Sequence, residues 1–324
     1  MQKVKISNVA GSVAKRLFHP RHIGHALALQ RHRRKESRAS NDPQLALMAR
    51  MLPGGFLHYG YFDDPTRPPE EISLAEFGRA QTRYAEILLE LAQDRELPVL
   101  DVGCGMGGLS RMLREEGFSP VALTPDRTQA AHIGTTLPEI PVIRCKFEDL
   151  PNPSSHAGRF GTVFTSESLQ YLKLDRALPL MDRILAPGGR WVACDMFRIG
   201  PSRGKGGHNW NDFTDRVSAA GWEITYERDI TPNVLPTLGL IHMIATNFGI
   251  PLLEFGLLKL RKKQPWLHYM LEDAVEMIGR SIDRNLEEVD PQQFVLHKKY
   301  VLLVLRRKAD VEAEGLDAAR PAAA

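Results

Sequence analysis

Between residues 97 and 200 the chain alternates two hydrophobic patterns. Short apolar runs bounded by turn residues, at 97–102, 120–123, 142–147, 161–165 and 190–196, have the length and make-up of buried strands. Helical spacing fills two of the gaps. Residues 109–116 form a predicted helix closed by Gly117, which suits the left-handed turn after a helix. Residues 175–185 form another, stopped by Ala186-Pro187-Gly188-Gly189. Strands alternating with helices predict an α/β protein with a mainly parallel sheet and helices on both faces. The run 294–305 alternates again and is read as a final, antiparallel strand.

Around this centre the pattern changes. Residues 1–70 are basic and then rich in Gly, Pro and aromatics, 71–230 carry the strand–helix alternation, and 231–290 are apolar and mostly helical. Residues 291–310 hold the final strand, and 311–324 form an alanine-rich tail expected to be disordered. In the apolar stretch, Leu238, Leu240, Ile241, Met243, Ile244, Phe248, Leu252, Leu253 and Phe255 leave more than one helix side to bury. A lid over an apolar ligand, added core and a dimer face all meet that need. Lys259, Arg261, Lys262 and Lys263 beside Trp266 and Tyr269 have the make-up of an edge that meets lipid headgroups.

Composition narrows the class. With 324 residues, 43% hydrophobic and 25% charged, the chain is that of a globular protein and not of a disordered or fibrous one. No strictly apolar run reaches the length of a bilayer span, and the N-terminus lacks a secretory leader, so the reading is cytoplasmic with room for membrane association. Cys104, Cys145 and Cys194 lie in apolar strands or a glycine turn and read as reduced structural thiols. The net charge of +3 hides an asymmetry: residues 1–38 hold ten Lys/Arg against Glu36 alone, which leaves the remainder acidic. Such an arm suits anionic lipid or nucleic acid, or is simply a solvated tail. His19, His22, His25 and His32 lack metal-ligand spacing and sit among cations, so no metal is expected.

Chemistry concentrates where the first strand ends, at Asp101-Val102-Gly103-Cys104-Gly105-Met106-Gly107-Gly108. Gly103, Gly105 and Gly108 satisfy G-x-G-x-x-G, a strand-to-helix turn that lets a ligand approach backbone amides. That spacing also serves dinucleotides, whose pyrophosphate a carboxylate at Asp101 would repel. The same carboxylate would attract an amino acid ammonium, which favours S-adenosylmethionine; alternatively Asp101 only ties neighbouring loops together. The end of the fourth strand, Thr165-Ser166-Glu167-Ser168-Leu169-Gln170-Tyr171, is the candidate acceptor side, since ligands sit at strand carboxyl ends. His208, in a glycine loop after the fifth strand, is a candidate base, hydrogen-bond donor or simple loop residue.

The segment 99–108 resembles motif I of class I S-adenosylmethionine-dependent methyltransferases, and Leu185-Ala186-Pro187-Gly188-Gly189-Arg190 resembles their L-x-P-G-G turn. The likeness is greatest to the small-molecule branch acting on tocopherols, sterols, fatty acids and natural products. There His58-Tyr59-Gly60-Tyr61-Phe62 resembles H-Y-G-Y-W, and Ala122-Leu123-Thr124-Pro125-Asp126-Arg127-Thr128-Gln129 resembles G-I-T-L-S-x-x-Q. The resemblance implies a Rossmann-like seven-stranded sheet with a helical insert between the last two strands and a cofactor-covering segment before the core. It also implies methyl transfer by in-line displacement to an apolar small molecule such as an isoprenoid, sterol-like compound, lipid or polyketide. Residues implied at the cofactor are Tyr59, Tyr61, Asp101, Gly103, Gly105, Gly107, Thr124, Gln129, Phe147, Glu148 and Ser166, with Asp126 a second choice for the ribose and plain packing an equal reading for Tyr59, Tyr61 and Phe147. Glu167, Gln170, Tyr171 and His208 are implied at the reaction. Two departures stand out: Lys146 replaces an adenine-contacting Asp, and Gln170-Tyr171 replaces a His that could serve as base. An RNA methyltransferase and a silent cofactor-binding scaffold are the rival readings; the chain lacks an N-P-P-Y motif and a stacking platform for nucleic acid.

Overall fold

The structure, a computed structural model, describes residues 54–200 and 206–318. The basic arm at 1–38, its four histidines and residues 319–324 lie outside the described residues. Eight strands form one sheet: β1 (Val99–Val102), β2 (Pro120–Leu123), β3 (Val142–Ile143), β4 (Phe160–Ser166), β5 (Leu185–Arg198), β6 (His208–Asn209), β7 (Trp222–Asp229) and β8 (Lys298–Arg307). Their order is β3-β2-β1-β4-β5-β8-β7, with β6 paired to β5. Every pairing is parallel except those of β8, which runs antiparallel to both β5 and β7. This is the expected Rossmann-like sheet with one added strand. His208 and Asn209 pair with Phe197 and Arg198, the part of β5 that outruns β4.

Strand patterning explains the layers. Along β8, Val301, Leu303 and Leu305 join one apolar cluster with Leu100, Trp191, Phe213 and Trp222, while Tyr300, Leu302 and Val304 join the other with Tyr84, Leu113 and Phe164. A period of two with both sets buried is what a sheet covered on both faces requires. The covering helices include α1 (Leu74–Leu89), α2 (Gly108–Glu115), α3 (Arg127–Thr136), α4 (Leu174–Ile184) and α5 (Trp210–Ala219). At the start of α1, Ser73 and Glu76 form a reciprocal capping box, which fixes where that helix begins.

Three boundaries differ from the expectation. The third strand stops at Ile143, because Phe147–Asp149 coils into a single 3-10 turn that buries Phe147. Ala186 to Gly189 is a bulge within β5: pairing with β4 jumps from Phe160–Leu185 to Thr162–Arg190, with Gly188 at φ 72°. The chain from 308 is helical through α11 (Lys308–Ala318), not a frayed tail. Alanine favours helix, and Arg306–Glu314 and Arg307–Asp310 ion pairs tie this helix back to β8.

The insert leaves β7 and returns at β8 through α6 (Thr231–Ile244), a π-helical turn (Ala245–Gly249), α7 (Ile250–Lys263), α8 (Pro265–Met270), α9 (Glu272–Val289) and α10 (Pro291–His297). Val234 and Leu238 of α6 are buried with Tyr84 and Tyr300, and Leu240 with Phe62 and Phe77. Beyond α6 the character reverses: α7, α8 and α9 bury no residue. Thr231–Lys263 is one helical run of 33 residues, long and apolar enough by length and composition to cross a membrane. This corrects the expectation of no such run. Pro232, Pro236, Pro251 and scattered Thr, Asn and His break the strictly apolar stretches without stopping the helix.

Candidate active site

β1, β2, β4, β5 and β7 run the same way, so their carboxyl ends share one edge, and the start of antiparallel β8 falls there too. At the end of β1 the backbone turns through Gly103 (φ 76°), Gly105 (φ 54°) and Gly107 (φ 86°), a left-handed sequence that only glycine adopts freely. The strap 56–62 lies over this turn: a Cβ at Gly108 would fall 2.5 Å from the Phe56 ring, and one at Gly105 3.5 Å from Leu57. On the other side a Cβ at Gly103 would fall 2.4 Å from that of Ser168. The turn is therefore walled by the strap and by the loop after β4.

Asp101 is buried beneath the turn, and its Oδ2 accepts the Ser110 hydroxyl at 2.6 Å. That bond ties β1 to α2, while burial pushes the carboxyl up to about 6. At the end of β2, Thr124 Oγ1 donates to Gln129 Oε1 at 2.6 Å, so these two expected ribose ligands meet in a buried pair. Asp126, the second choice, caps α3 instead: its Oδ1 accepts from the amides of Thr128 and Gln129 at 2.8 and 2.9 Å. Phe147 packs in the core among Leu100, Val102, Leu123 and Leu169, and Glu148 Oε1 accepts from the Lys173 amide at 2.7 Å. For Phe147 this is the packing role that the sequence left open.

The loop after β4 holds the site's carboxyl. Glu167 stands at φ 50°, a strained conformation for a side chain with a Cβ. Its Oε1 accepts from the Tyr59 amide and from the Tyr300 hydroxyl, each at 2.7 Å, and Oε2 has no protein partner among the described residues. Burial raises its pKa from 4.5 to about 7, an effect that the two hydrogen bonds oppose. Tyr300 is held in turn by Tyr84 Oη at 3.1 Å, and Ser166 Oγ donates to Tyr84 at 3.2 Å. Ser166, expected at the cofactor, belongs to this hydroxyl chain.

A second carboxyl lies beside the first. Asp195 on β5 is buried and accepts from the amides of Gln170 at 3.0 Å and Met196 at 2.8 Å. Burial raises it to about 8, with repulsion from Glu167 adding to the effect. Through Gln170 it fixes the loop that carries Glu167. His208 does the same from β6: its Nε2–H donates to the Leu169 carbonyl at 3.0 Å, and burial lowers its pKa.

The remaining expected residues divide. Tyr59 stays, its ring 5.9 Å from that of Tyr300. Tyr61 takes the packing role: it is buried with its hydroxyl bound by Arg228, whose guanidinium also lies over the ring. Gln170 turns its Oε1 toward Gly206, and Tyr171 is 77% exposed. Sequence reasoning missed Tyr300, Tyr84 and Asp195. Signals existed for two: a hydroxyl opening the run Tyr300-Val301-Leu302-Leu303-Val304-Leu305, and a lone acid inside Trp191-Val192-Ala193-Cys194-Asp195.

Known proteins give the same picture. Residues 99–189 match the family described as methyltransferase domain. A fatty-acid O-methyltransferase of Mycolicibacterium smegmatis is 28% identical over 148 residues, 43% of this chain and 52% of that protein. The 2-methyl-6-phytyl-1,4-hydroquinone methyltransferase of Synechocystis is 30% identical over 180 residues, 52% of this chain and 49% of that protein. The chain thus spans about half the length of the curated relatives it matches. A geranyl diphosphate methyltransferase, solved with its diphosphate and sinefungin, superposes with a TM-score of 0.58 at 20% identity, covering 79% of this chain and 90% of that one. Sheet order, glycine turn and these matches point one way: residues 99–189 match a methyltransferase domain, on a Rossmann-like sheet of the kind that class I S-adenosylmethionine-dependent methyltransferases use. Within that class its likeness is to small-molecule methyltransferases.

Proposed function

We propose that this chain transfers a methyl group from S-adenosylmethionine to an apolar small molecule, with Glu167 as the group that meets the acceptor. The observation that carries the reading is the placement of Glu167: two protein donors hold one oxygen, the other has no protein partner among the described residues, and the next residue, Ser168, walls the glycine turn. S-adenosylmethionine, when bound, supplies an electrophilic methyl on a sulfonium. The donor set suits it. Gly103, Gly105 and Gly107 give the turn a surface without side chains, the neutral Thr124–Gln129 pair matches a ribose diol, and Asp101 offers charge to an ammonium. Tyr59 presents an aromatic wall next to Glu167, a surface that favours a cation.

For the acceptor, Glu167 orients a hydroxyl, amine or acidic C–H through Oε2 and takes its proton, a role for which a pKa of about 7 is well matched. The strap over the glycine turn keeps water from that part of the edge. The apolar acceptor is proposed from the greasy insert that rises there, and from the fatty-acid and prenyl-quinol substrates in the names of the two relatives. A lipid surface is proposed as a peripheral partner.

The test has two arms. Calorimetry with S-adenosylhomocysteine should show binding that Asp101→Ala weakens; heat with NADH and none with S-adenosylhomocysteine overturns the cofactor. Radiolabel from methyl-labelled S-adenosylmethionine should then enter an apolar extract with the native chain and not with Glu167→Gln, while that variant still binds S-adenosylhomocysteine. Equal transfer by both removes Glu167 from the reaction.

A further inference from the structure

The insert carries an apolar surface that the fold does not use. From Thr231 to Leu253 there are 23 residues without a single Asp, Glu, Lys or Arg. A run of that kind belongs inside a protein or a membrane. Only its first part is inside this protein. Val234 and Leu238 are fully buried, but Phe248, Leu252 and Phe255 are 66%, 71% and 61% exposed, and Ile244 and Leu258 are exposed as well. The helix leaves the core, passes its π-helical turn and continues into solvent as α7, whose main neighbours are that turn and α8. Isolated exposed Leu or Phe residues need no explanation, but a contiguous apolar helix marks a surface that is covered in use.

The residues just beyond the apolar part identify the cover. Lys259, Arg261, Lys262 and Lys263 close α7, and Trp266 and Tyr269, both exposed, come within the next two turns. Apolar side chains followed by cations and amphipathic aromatics is the make-up of a helix lying in a bilayer interface, its apolar groups among the acyl chains and its cations and aromatic rings at the headgroup level. A second copy of this chain would have to bring acidic groups to face the basic run. Direction matters too. The insert starts at the carboxyl end of β7 and returns at the start of β8, so it rises from the same edge that holds the glycine turn, Glu167 and Tyr300.

We propose that residues 244–269 form a monotopic membrane dock, with the apolar face of α7 in the acyl region of an anionic leaflet and Lys259 to Lys263 among its phosphates, so that the candidate site opens toward the lipid. The docking rests on the surface alone. That it brings an acceptor to Glu167 rests on the methyl-transfer reading, and the two fail separately.

The full chain is mixed with vesicles of phosphatidylcholine, with and without phosphatidylglycerol, and floated through a density gradient. Binding should require the anionic lipid and fall with salt. Lys259→Gln/Lys262→Gln/Lys263→Gln should cut partition on the order of a hundredfold, since each surface cation is worth about fivefold. Phe248→Ser/Leu252→Ser/Phe255→Ser, all exposed and so harmless to folding, should abolish flotation while binding S-adenosylhomocysteine as the native chain does. Brominated lipid should quench tryptophan fluorescence through Trp266, an effect lost in Trp266→Phe. Anionic flotation unchanged in the insert variants assigns the contact to another basic surface and overturns the proposal. So does equal binding to neutral vesicles, or a lipid-free dimer that the serine variant splits while no vesicle is bound.

Discussion

A carboxyl held at about 7 makes the native chain pay a stability cost that its amide does not. Glu167 titrates near 4.5 when unfolded and near 7 when folded, so between those values the folded state holds the extra proton. For a raised acid the stability is highest below pH 4.5 and declines as pH rises through 7, because the unfolded chain releases its proton first. Above 7 the full difference is in force, roughly 3 kcal/mol at ~1.36 kcal/mol per pH unit. Gln at this position keeps an oxygen for the Tyr59 amide and the Tyr300 hydroxyl and carries no charge to desolvate. Glu167→Gln should therefore stabilise the fold by a few kcal/mol at alkaline pH and by nothing in acid. The assay is urea unfolding of both chains from about pH 4 to about pH 9, read as the difference in midpoint. Parallel curves across the window refute the reasoning, since they mean that folding leaves the titration of Glu167 unshifted. The same substitution should lower methyl transfer by about 10²–10⁴-fold, the usual worth of a positioned base, which would make the site a place where function is kept at the expense of stability.

Gly105→Val forces a β-branched residue to φ 54° against Leu57 and should weaken S-adenosylhomocysteine binding more than about tenfold by calorimetry. Tyr300→Phe removes a donor to Glu167 and should raise the carboxyl's titration by about one pH unit, followed by carbon-13 shifts of labelled glutamate with Glu167→Gln as the assignment; an unmoved or lowered midpoint counts against the network. Tyr61→Phe, which loses only the Arg228 contact, should lower the melting temperature by a few degrees and leave S-adenosylhomocysteine affinity unchanged. Leu240→Asp buries a charge and should destabilise by several kcal/mol in urea, whereas Phe248→Asp, on the exposed helix, should stay close to neutral.

The strands, the parallel sheet and the antiparallel strand β8 were legible because their signal is periodicity, which depends on neighbours a few residues away. The glycine turn was legible for a related reason: positive φ at Gly103, Gly105 and Gly107 restricts residue choice directly. Roles set by distant partners were not. Nothing near Tyr61 in sequence announces Arg228, 167 residues on, and nothing near Glu167 announces Tyr300. Asp126 and Glu148 each accept from backbone amides, contacts that the identity of a carboxylate near a ligand edge does not announce. Exposure in the insert was beyond reach as well, since an apolar helix has the same pattern whether it ends in a core or in solvent.

Gly60 binds the insert twice, its amide donating to Thr237 Oγ1 at 3.0 Å and its carbonyl accepting from the same hydroxyl at 3.2 Å. One residue earlier in the strap, the Tyr59 amide holds Glu167. Variation in the first turns of α6 is therefore transmitted to the glycine turn and the carboxyl in a single step, and from Ile244 outward it is not. A lineage under pressure for new acceptors has freedom in the outer insert and little in the inner, so diversity among near relatives of this chain should concentrate after residue 244 and thin out toward Thr237.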